Sequence, residues 1–278
     1  MKIFITGVSG YLGSHIAAYF KDKYEVLSPT HNELDLTDEL SVREYILFNK
    51  PDYILHAANV GKYGQYVPDA IEQNTRMYIN LARMQDFYKR LIYLGSGALY
   101  DKQRSLNMVS EDDFGEFIPQ DQYGLSKYLS AAGFAEQKNA MVLQLFGVYG
   151  EDEGDRFPSY AIKQAIDNLP IVIHKDAWFD YLYVDDLCRI VEHFLTTKKL
   201  VPFCNIGTGV PVELLEIAKK AVKLAKSTSE IITTEDGLAN AYTCNITLLK
   251  KLLPKFKFTT IDEGLRKLYD WYKMEGKN

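Results

Sequence analysis

The sequence predicts a doubly wound parallel α/β sheet with a smaller C-terminal α/β lobe. Three observations carry this. Strand-like and helix-like periods alternate through roughly the first 150 of 278 residues. The strands are short and continuously apolar, as strands read when helices cover both faces of a parallel sheet. After Gly150 the pattern loosens, yet no Pro/Gly/Ser linker intervenes. The lobes are therefore expected over 1–150 and 151–278, sharing a cleft and exchanging some elements.

The elements follow in order. Lys2–Thr6 is an apolar run ending at glycine, a buried strand. Tyr11–Phe20 has helical spacing and Glu25–Leu27 is strand-like. Thr37–Asn49 reads as a helix capped by Thr37, and Asp52–His56 as a strand. Pro68–Tyr88 reads as one long helix, with proline near its start. Arg90–Leu94 is a strand, Gln122–Gln137 a helix and Ala140–Leu145 a strand. Beyond Gly150, helices are expected near Pro158–Asn168, Asp185–Thr196 and Val212–Lys226, and strands near Ile171–Ile173, Asp180–Leu182 and Phe203–Ile206. Ile261–Met274 is an amphipathic helix containing tyrosine and tryptophan.

Composition excludes several classes. Hydrophobic residues make up 47% and charged residues 25%, an ordinary globular mix. The 32 Lys and Arg against 37 Asp and Glu give a net charge of −5, which does not suit nucleic-acid binding. Cys188, Cys204 and Cys244 are too scattered for a disulfide framework or a metal site. Gly7, Ser9 and Gly10 interrupt the N-terminal apolar run before it becomes a signal-peptide core. No apolar stretch reaches the roughly 20 residues that span a bilayer. A cytoplasmic protein is expected.

Gly7-Val8-Ser9-Gly10-Tyr11-Leu12-Gly13 follows the first strand and opens a helix. In that context the glycines let backbone amides approach a pyrophosphate, and the helix N-terminus adds partial positive charge. Gly7, Gly10, Tyr11, Leu12 and Gly13 are thus candidate dinucleotide contacts. The residue that reads the adenosine ribose should end the second strand, where Ser28-Pro29-Thr30-His31-Asn32 stands with no carboxylate before Glu33. This favours NADP ahead of NAD, with Ser28, Thr30 and His31 as phosphate partners.

Tyr123-Gly124-Leu125-Ser126-Lys127 puts a phenol and an ammonium four residues apart, on one helix face. A nearby cation favours an ionised phenol, which makes tyrosine a usable acid/base near neutrality. Ser96 follows the Arg90–Leu94 strand, at the end where parallel sheets place ligands.

The order of glycine turn, serine after a strand and Tyr-x-x-x-Lys on the next long helix resembles the extended short-chain dehydrogenase/reductase family, in its nucleotide-sugar branch. The resemblance covers nearly the whole chain. It includes Asp35-Leu36-Thr37-Asp38, similar to the adenine-contacting stretch, and His56-Ala57-Ala58, similar to the strand end beneath the cofactor. Phe146-Gly147-Val148-Tyr149-Gly150 is similar to the segment that passes the nicotinamide. Tyr183-Val184-Asp185-Asp186 and Asn205-Ile206-Gly207-Thr208-Gly209 resemble landmarks of the substrate lobe. The resemblance implies a Rossmann-like dinucleotide domain and a substrate-binding lobe. It assigns Ser96, Tyr123 and Lys127 to the catalytic triad, and Asp35, Leu36, Ala57, Ala58, Phe146 and Val148 to the cofactor. Tyr123 would transfer the proton, Lys127 hold the nicotinamide ribose and Ser96 polarise the sugar oxygen.

The departures narrow the chemistry. The family's dehydratases carry an Asp-Glu pair directly after the triad hydroxyl, where Gly97 and Ala98 stand here. Members resembling GDP-fucose synthase use a cysteine at the position of Ala98. An arginine common before the Val-Asp-Asp landmark is replaced by Trp178-Phe179-Asp180-Tyr181, and the usual asparagine of the nicotinamide segment by Gly147. Arg156 is the nearest alternative diphosphate clamp, and Tyr181 a further substrate candidate.

Other polar residues have plainer readings. His56 ends a buried strand, and Asp185 and Asp186 fit helix capping. Lys62 and Tyr63 follow the third strand in a polar loop, where substrate contacts are expected. An asparagine near Asn74 supports the triad lysine through water elsewhere in the family. Extra apolar residues on 68–88 and 122–137 (Met77, Tyr78, Leu81, Met84; Leu125, Tyr128, Leu129, Phe134) suggest a homodimer through these helices, as in other family members.

The expected function is NAD(P)H-dependent reduction of a nucleotide-linked keto sugar, at C4 of a 4-keto-6-deoxy sugar. An NAD-dependent 4-epimerase is the alternative, using the same three residues. A non-catalytic dinucleotide sensor is a third reading, opposed by the intact Ser96, Tyr123 and Lys127.

Overall fold

The computed structural model describes residues 1–154 and 156–275. The chain begins β1 (Lys2–Thr6), α1 (Tyr11–Phe20), β2 (Glu25–Leu27), α2 (Glu39–Asn49), β3 (Tyr53–His56), α3 (Ala70–Ala82) and β4 (Arg90–Leu94). It continues β5 (Leu106–Val109), α4 (Gln122–Ala135), β6 (Ala140–Leu145), β7 (Val148–Tyr149), α5 (Phe157–Ile166), β8 (Ile171–Asp176), β9 (Trp178–Phe179), β10 (Leu182–Tyr183) and α6 (Val184–Thr196). It ends β11 (Phe203–Ile206), β12 (Val212–Glu213), α7 (Leu214–Ala225), β13 (Ile231–Leu238), β14 (Tyr242–Cys244), α8 (Thr247–Leu252) and α9 (Ile261–Glu275).

Two units result. The first takes residues 1–102, 111–145 and 188–205, and the second takes 103–110, 146–187 and the chain from 206 onward. The division falls between Leu145 and Phe146, a few residues before the Gly150 expected from sequence. The reason is local: β6 is a strand of the first unit's sheet, whereas the Phe146 amide donates to the Ile206 carbonyl of the second unit. Residues 103–110 enter the second unit because β5 pairs in parallel with β14.

The first unit is built on a six-stranded sheet in the order β11-β6-β4-β3-β1-β2. The pairs β1–β2, β1–β3, β3–β4 and β4–β6 are parallel. Strand order reverses between β1 and β3. Right-handed crossovers then send α1 and α2 to opposite faces and open a crevice at the carboxyl ends of those two strands. Apolar strands form the core: Ile3, Phe4, Ile5, Ile54, Leu55, Leu91, Ile92, Met141, Val142 and Leu143 are fully buried.

Two helices differ from expectation. Asp38, not Thr37, caps α2 by accepting the Leu40 amide, because the Thr37 hydroxyl is engaged with Asp35. The long helix expected over Pro68–Tyr88 is shorter. Asp69 adopts a left-handed φ of 58°, so α3 starts at Ala70, and a short 3-10 turn at Gln85–Phe87 follows its end. Helices α3 and α4 pack on each other within this chain, with Tyr78 edge-on to Phe134 at 4.8 Å. Met77, Leu81, Met84 and Phe134, expected to help form a dimer surface, are buried in this chain's own core; Leu129 remains exposed.

In the second unit α5, α7 and α9 pack around Tyr149, Ile162, Ile217, Leu265 and Leu268. The strand expected at Asp180–Leu182 is split into β9 and β10, on either side of the buried Asp180 and Tyr181. Helix α7 starts at Leu214 because Val212–Glu213 is a strand paired with β9. Strands β5, β13 and β14 and helix α8 lacked a sequence signal. β13 is solvent-exposed over most of its length, so burial imprints no alternation on it.

Candidate active site

The turn between β1 and α1 lies flush against the end of β3. Gly7 has a left-handed φ of 72°, and a Cβ there would stand 2.5 Å from the Ala58 nitrogen. A Cβ on Gly13 would stand 2.2 Å from the Gly7 carbonyl oxygen. Both obstacles are backbone, so side chains are excluded at both positions. Gly10 gives α1 no side-chain cap, and the first turn holds no acid, which leaves a helix N-terminus suited to an anion.

A cleft of about 270 Å³ opens here. Of the expected cofactor contacts, Gly7, Gly10, Thr30, His31, Asp35, Leu36, Ala57 and Ala58 line it. Tyr11, Leu12 and Gly13 form the start of α1 outside this lining, and Ser28 also lies off it, next to Pro29, which lines it. Val8 and Ser9 of the glycine turn and Thr37 of the Asp35–Asp38 stretch line it too, and Leu34, Asn59, Val60, Gln73 and Met77, which were not anticipated, complete it. Their signal was positional: they flank the strand ends or face them from α3. An apolar slot (Leu34, Leu36, Met77) beside a tight glycine turn and an uncapped helix end fits a dinucleotide. No lysine or arginine is among the described residues lining it. The Glu33 carboxylate accepts from both the Thr30 amide (2.7 Å) and its hydroxyl (2.9 Å).

The cleft floor is a polar knot. The Thr6 hydroxyl oxygen accepts the Ala57 and Ala58 amides, each at 3.1 Å, and lies 2.8 Å from His56 Nδ1. With its lone pairs so occupied, the hydroxyl donates to His56, whose proton therefore resides on Nε2. Burial, with the Lys127 charge adding to it, drives the His56 pKa down to about 3, so the ring is neutral.

The three catalytic candidates all lie in the first unit, where α4 packs on the turn that follows Ser96. Ser96 follows β4 and caps the 3-10 turn Gly97–Tyr100, its Oγ accepting the Ala98 amide at 3.2 Å. Lys127 reaches from α4 to donate to the Leu94 carbonyl at 3.0 Å, two residues before Ser96. Tyr123 sits one turn earlier on α4, its ring centre 5.9 Å from the Lys127 nitrogen. Asp121 caps this helix by accepting the Gly124 amide at 2.8 Å. A Cβ at 124 would lie 2.9 Å from the Ala98 carbonyl, so a side chain there would prise the helix off the serine turn. Lys127 is only 4% exposed, and burial lowers its pKa to about 7. Asn74 binds the Val60 backbone and the Ser126 hydroxyl, next to Lys127 in the chain.

The remaining candidates lie in the second unit. Phe146 and Val148 are buried, Phe146 packing on Tyr242. Tyr181 is buried and stacks on Phe179, and burial raises its phenol pKa while the Arg156 charge opposes the rise. Arg156 and Tyr181 are thus close enough to interact. Arg156 itself is exposed just before α5, with Glu153 accepting its amide at 2.7 Å. Asp180 is fully buried, and its carboxylate accepts the Thr208 amide and hydroxyl (both 2.7 Å) and the Gly209 amide (2.8 Å). The described residues hold no cluster suited to a metal ion and no helix long and apolar enough to cross a membrane.

Residues 3–207 match the family described as NAD dependent epimerase/dehydratase. The chain belongs to this family. Its members are NAD(P)-binding oxidoreductases and epimerases, and the fold is of the Rossmann type. A GDP-L-colitose synthase from Yersinia pseudotuberculosis is 27% identical over 254 residues, covering 81% of this chain and 82% of that protein. A GDP-mannoheptose C4 reductase from Campylobacter jejuni, solved with NADP bound, superposes with a TM-score of 0.82 at 18% identity, covering 98% of each chain. A UDP-glucose 4-epimerase from Thermotoga maritima, solved with UDP-glucose, gives 0.82 at 19% identity, covering 99% of each. The epimerase/dehydratase fold therefore extends over the whole chain, well beyond the matched 3–207.

Proposed function

We propose that this protein reduces the 4-keto group of a nucleotide-linked 4-keto-6-deoxy sugar, with NADPH ahead of NADH as reductant. The observation that carries the reading is the packing of α4, which bears Tyr123 and Lys127, on the turn that Ser96 begins at the end of β4. Gly97 and Ala98 complete the serine turn with no group able to donate or accept a proton, which supports simple reduction over dehydration. The GDP-sugar synthase and C4 reductase named above support the substrate class.

Ser96 would donate to the carbonyl oxygen, its own oxygen being occupied by the Ala98 amide. Tyr123 would deliver the proton that turns this oxygen into a hydroxyl. NAD(P)H, when bound, supplies the hydride taken up by the carbonyl carbon. Lys127 would hold the nicotinamide ribose and favour the tyrosinate left behind. Gly7, Gly10 and the start of α1 would hold the pyrophosphate, Asp35 and Leu36 the adenine, and Thr30 and His31 the 2′-phosphate. In the second unit, Arg156 and Tyr181 would contact the substrate. Assembly as a cytoplasmic homodimer through α3 and α4 would use their exposed residues, Ile79 and Leu129.

The test is incubation with NADPH and a panel of GDP-, UDP- and dTDP-linked 4-keto-6-deoxy sugars, following loss of the reduced-nicotinamide absorbance. Stoichiometric loss with one of them is expected. Product without net cofactor loss would establish a 4-epimerase instead. Parallel NADPH and NADH titrations test the cofactor order, which a clear NADH preference would overturn.

A further inference from the structure

We propose that the loop Gly61–Tyr66 recognises the sugar of the nucleotide-sugar substrate, with Tyr63 as its contact residue, and that carboxamide clamps hold it in register with Tyr123. The proposal rests on the reductase reading and names the part of that site which selects the sugar.

The clamps are two side-chain amides. Gln122 accepts the Val67 amide at 2.9 Å and donates to the Val67 carbonyl at 2.7 Å. Asn74 treats Val60 alike, accepting its amide at 2.9 Å and donating to its carbonyl at 3.0 Å. Each clamp satisfies both backbone groups of one loop residue, as a neighbouring strand would. Both lead to α4: Gln122 is its first residue, and Asn74 also donates to Ser126 at 2.8 Å. Gln122 immediately precedes Tyr123, and Ser126 immediately precedes Lys127. The helix that presents the proton donor therefore also fixes both ends of the loop.

Between the clamps the loop turns outward through Gly61 (φ 87°) and Gly64 (φ 79°). Tyr66 is 82% exposed and Tyr63 41%. The Tyr63 ring lies under the Lys102 ammonium at 4.3 Å, and its phenol is within electrostatic reach of Asp101 and Asp121. Asp101 ends the turn that begins at Ser96, and Asp121 caps the helix of Tyr123. The Lys102 contact places Tyr63 beside the end of the turn that begins at Ser96. A partly exposed aromatic face with a phenol tip suits a pyranose, whose C–H face packs on the ring while a hydroxyl bonds the tip.

Kinetics and binding test this. Tyr63→Ala is expected to raise KM for the nucleotide sugar about tenfold, with the loss falling mainly on KM and the NADPH Kd unmoved. Gln122→Ala should raise KM in the same direction and accelerate hydrogen exchange at the Val67 amide. Wild-type KM in Tyr63→Ala, with turnover retained, would overturn the loop's role and leave the reductase reading standing. Calorimetry with GDP-mannose needs no turnover. Binding by wild type that weakens in Tyr63→Ala, without reduction of any panel sugar, would support the loop and overturn the reductase reading. Equal affinity in both proteins overturns the loop, and absence of binding and turnover across the panel overturns both.

Discussion

Lys127 donates to the carbonyl of Leu94 at 3.0 Å, fastening α4 to the end of β4 two residues short of Ser96. Because burial brings this ammonium to a pKa of about 7, it loses its proton within the working range. The protonated form is the one that favours a tyrosinate. Reduction is therefore expected to slow as pH rises through about 7. Lys127→Met should be slower throughout and lack that limb. A wild-type pH–rate profile that is flat from pH 6 to 8 would contradict this assignment.

Removing the Tyr123 hydroxyl would delete the proposed proton donor but leave the cleft untouched, since Tyr123 is not among its lining residues. Tyr123→Phe should lower kcat by about a thousandfold with NADPH affinity nearly unchanged. Steady-state rates paired with cofactor titration check both halves.

The backbone contact beneath Gly13 sets the third expectation. A methyl group there meets the Gly7 carbonyl oxygen, which cannot swing away as a side chain could. Gly13→Ala should weaken dinucleotide binding at least about tenfold and cost about 1–3 kcal/mol of stability. Fluorescence titration and thermal melts measure the two effects.

His56 predicts a pH signature in folding rather than catalysis. Its folded pKa of about 3 lies below the ordinary 6.5, so the unfolded chain takes up the proton first as pH falls. The stability this group contributes is complete above pH 6.5 and is lost progressively between 6.5 and 3. The loss is about 2 kcal/mol by pH 5. His56→Gln keeps an acceptor for Thr6 without the titration. The wild-type melting temperature should fall more steeply from pH 7 to 5 than the variant's; equal slopes would refute the link.

Much of this was legible in the sequence because it is local. The strands of the first sheet are buried on both faces, so each is an unbroken apolar run. The glycine turn and Tyr-x-x-x-Lys are single short segments. What was not legible depends on distant partners. Thr37 was misread as a cap because the engagement of its hydroxyl by Asp35 leaves no periodic trace. Pro68 announced a helix, but the left-handed Asp69 delayed it. β5 depends on β14, about 135 residues away, and β14 on both β5 and β9. The apolar positions of α3 and α4 signalled burial without saying by what, and half of them proved to be buried in this chain's own interior. The carboxamides of Asn74 and Gln122 are ordinary polar residues until folding sets Val60 and Val67 opposite them.

The buried Asp180 bears on where a phosphorylated ligand can dock. The turn at Thr208–Gly209 presents converging amides, the arrangement that elsewhere captures phosphate. Here the chain has inserted an anion of its own, and those donors are already spent. That turn is a receptor permanently loaded with an internal carboxylate. Asp180→Asn would offer those three donors one acceptor oxygen in place of two and so loosen the turn.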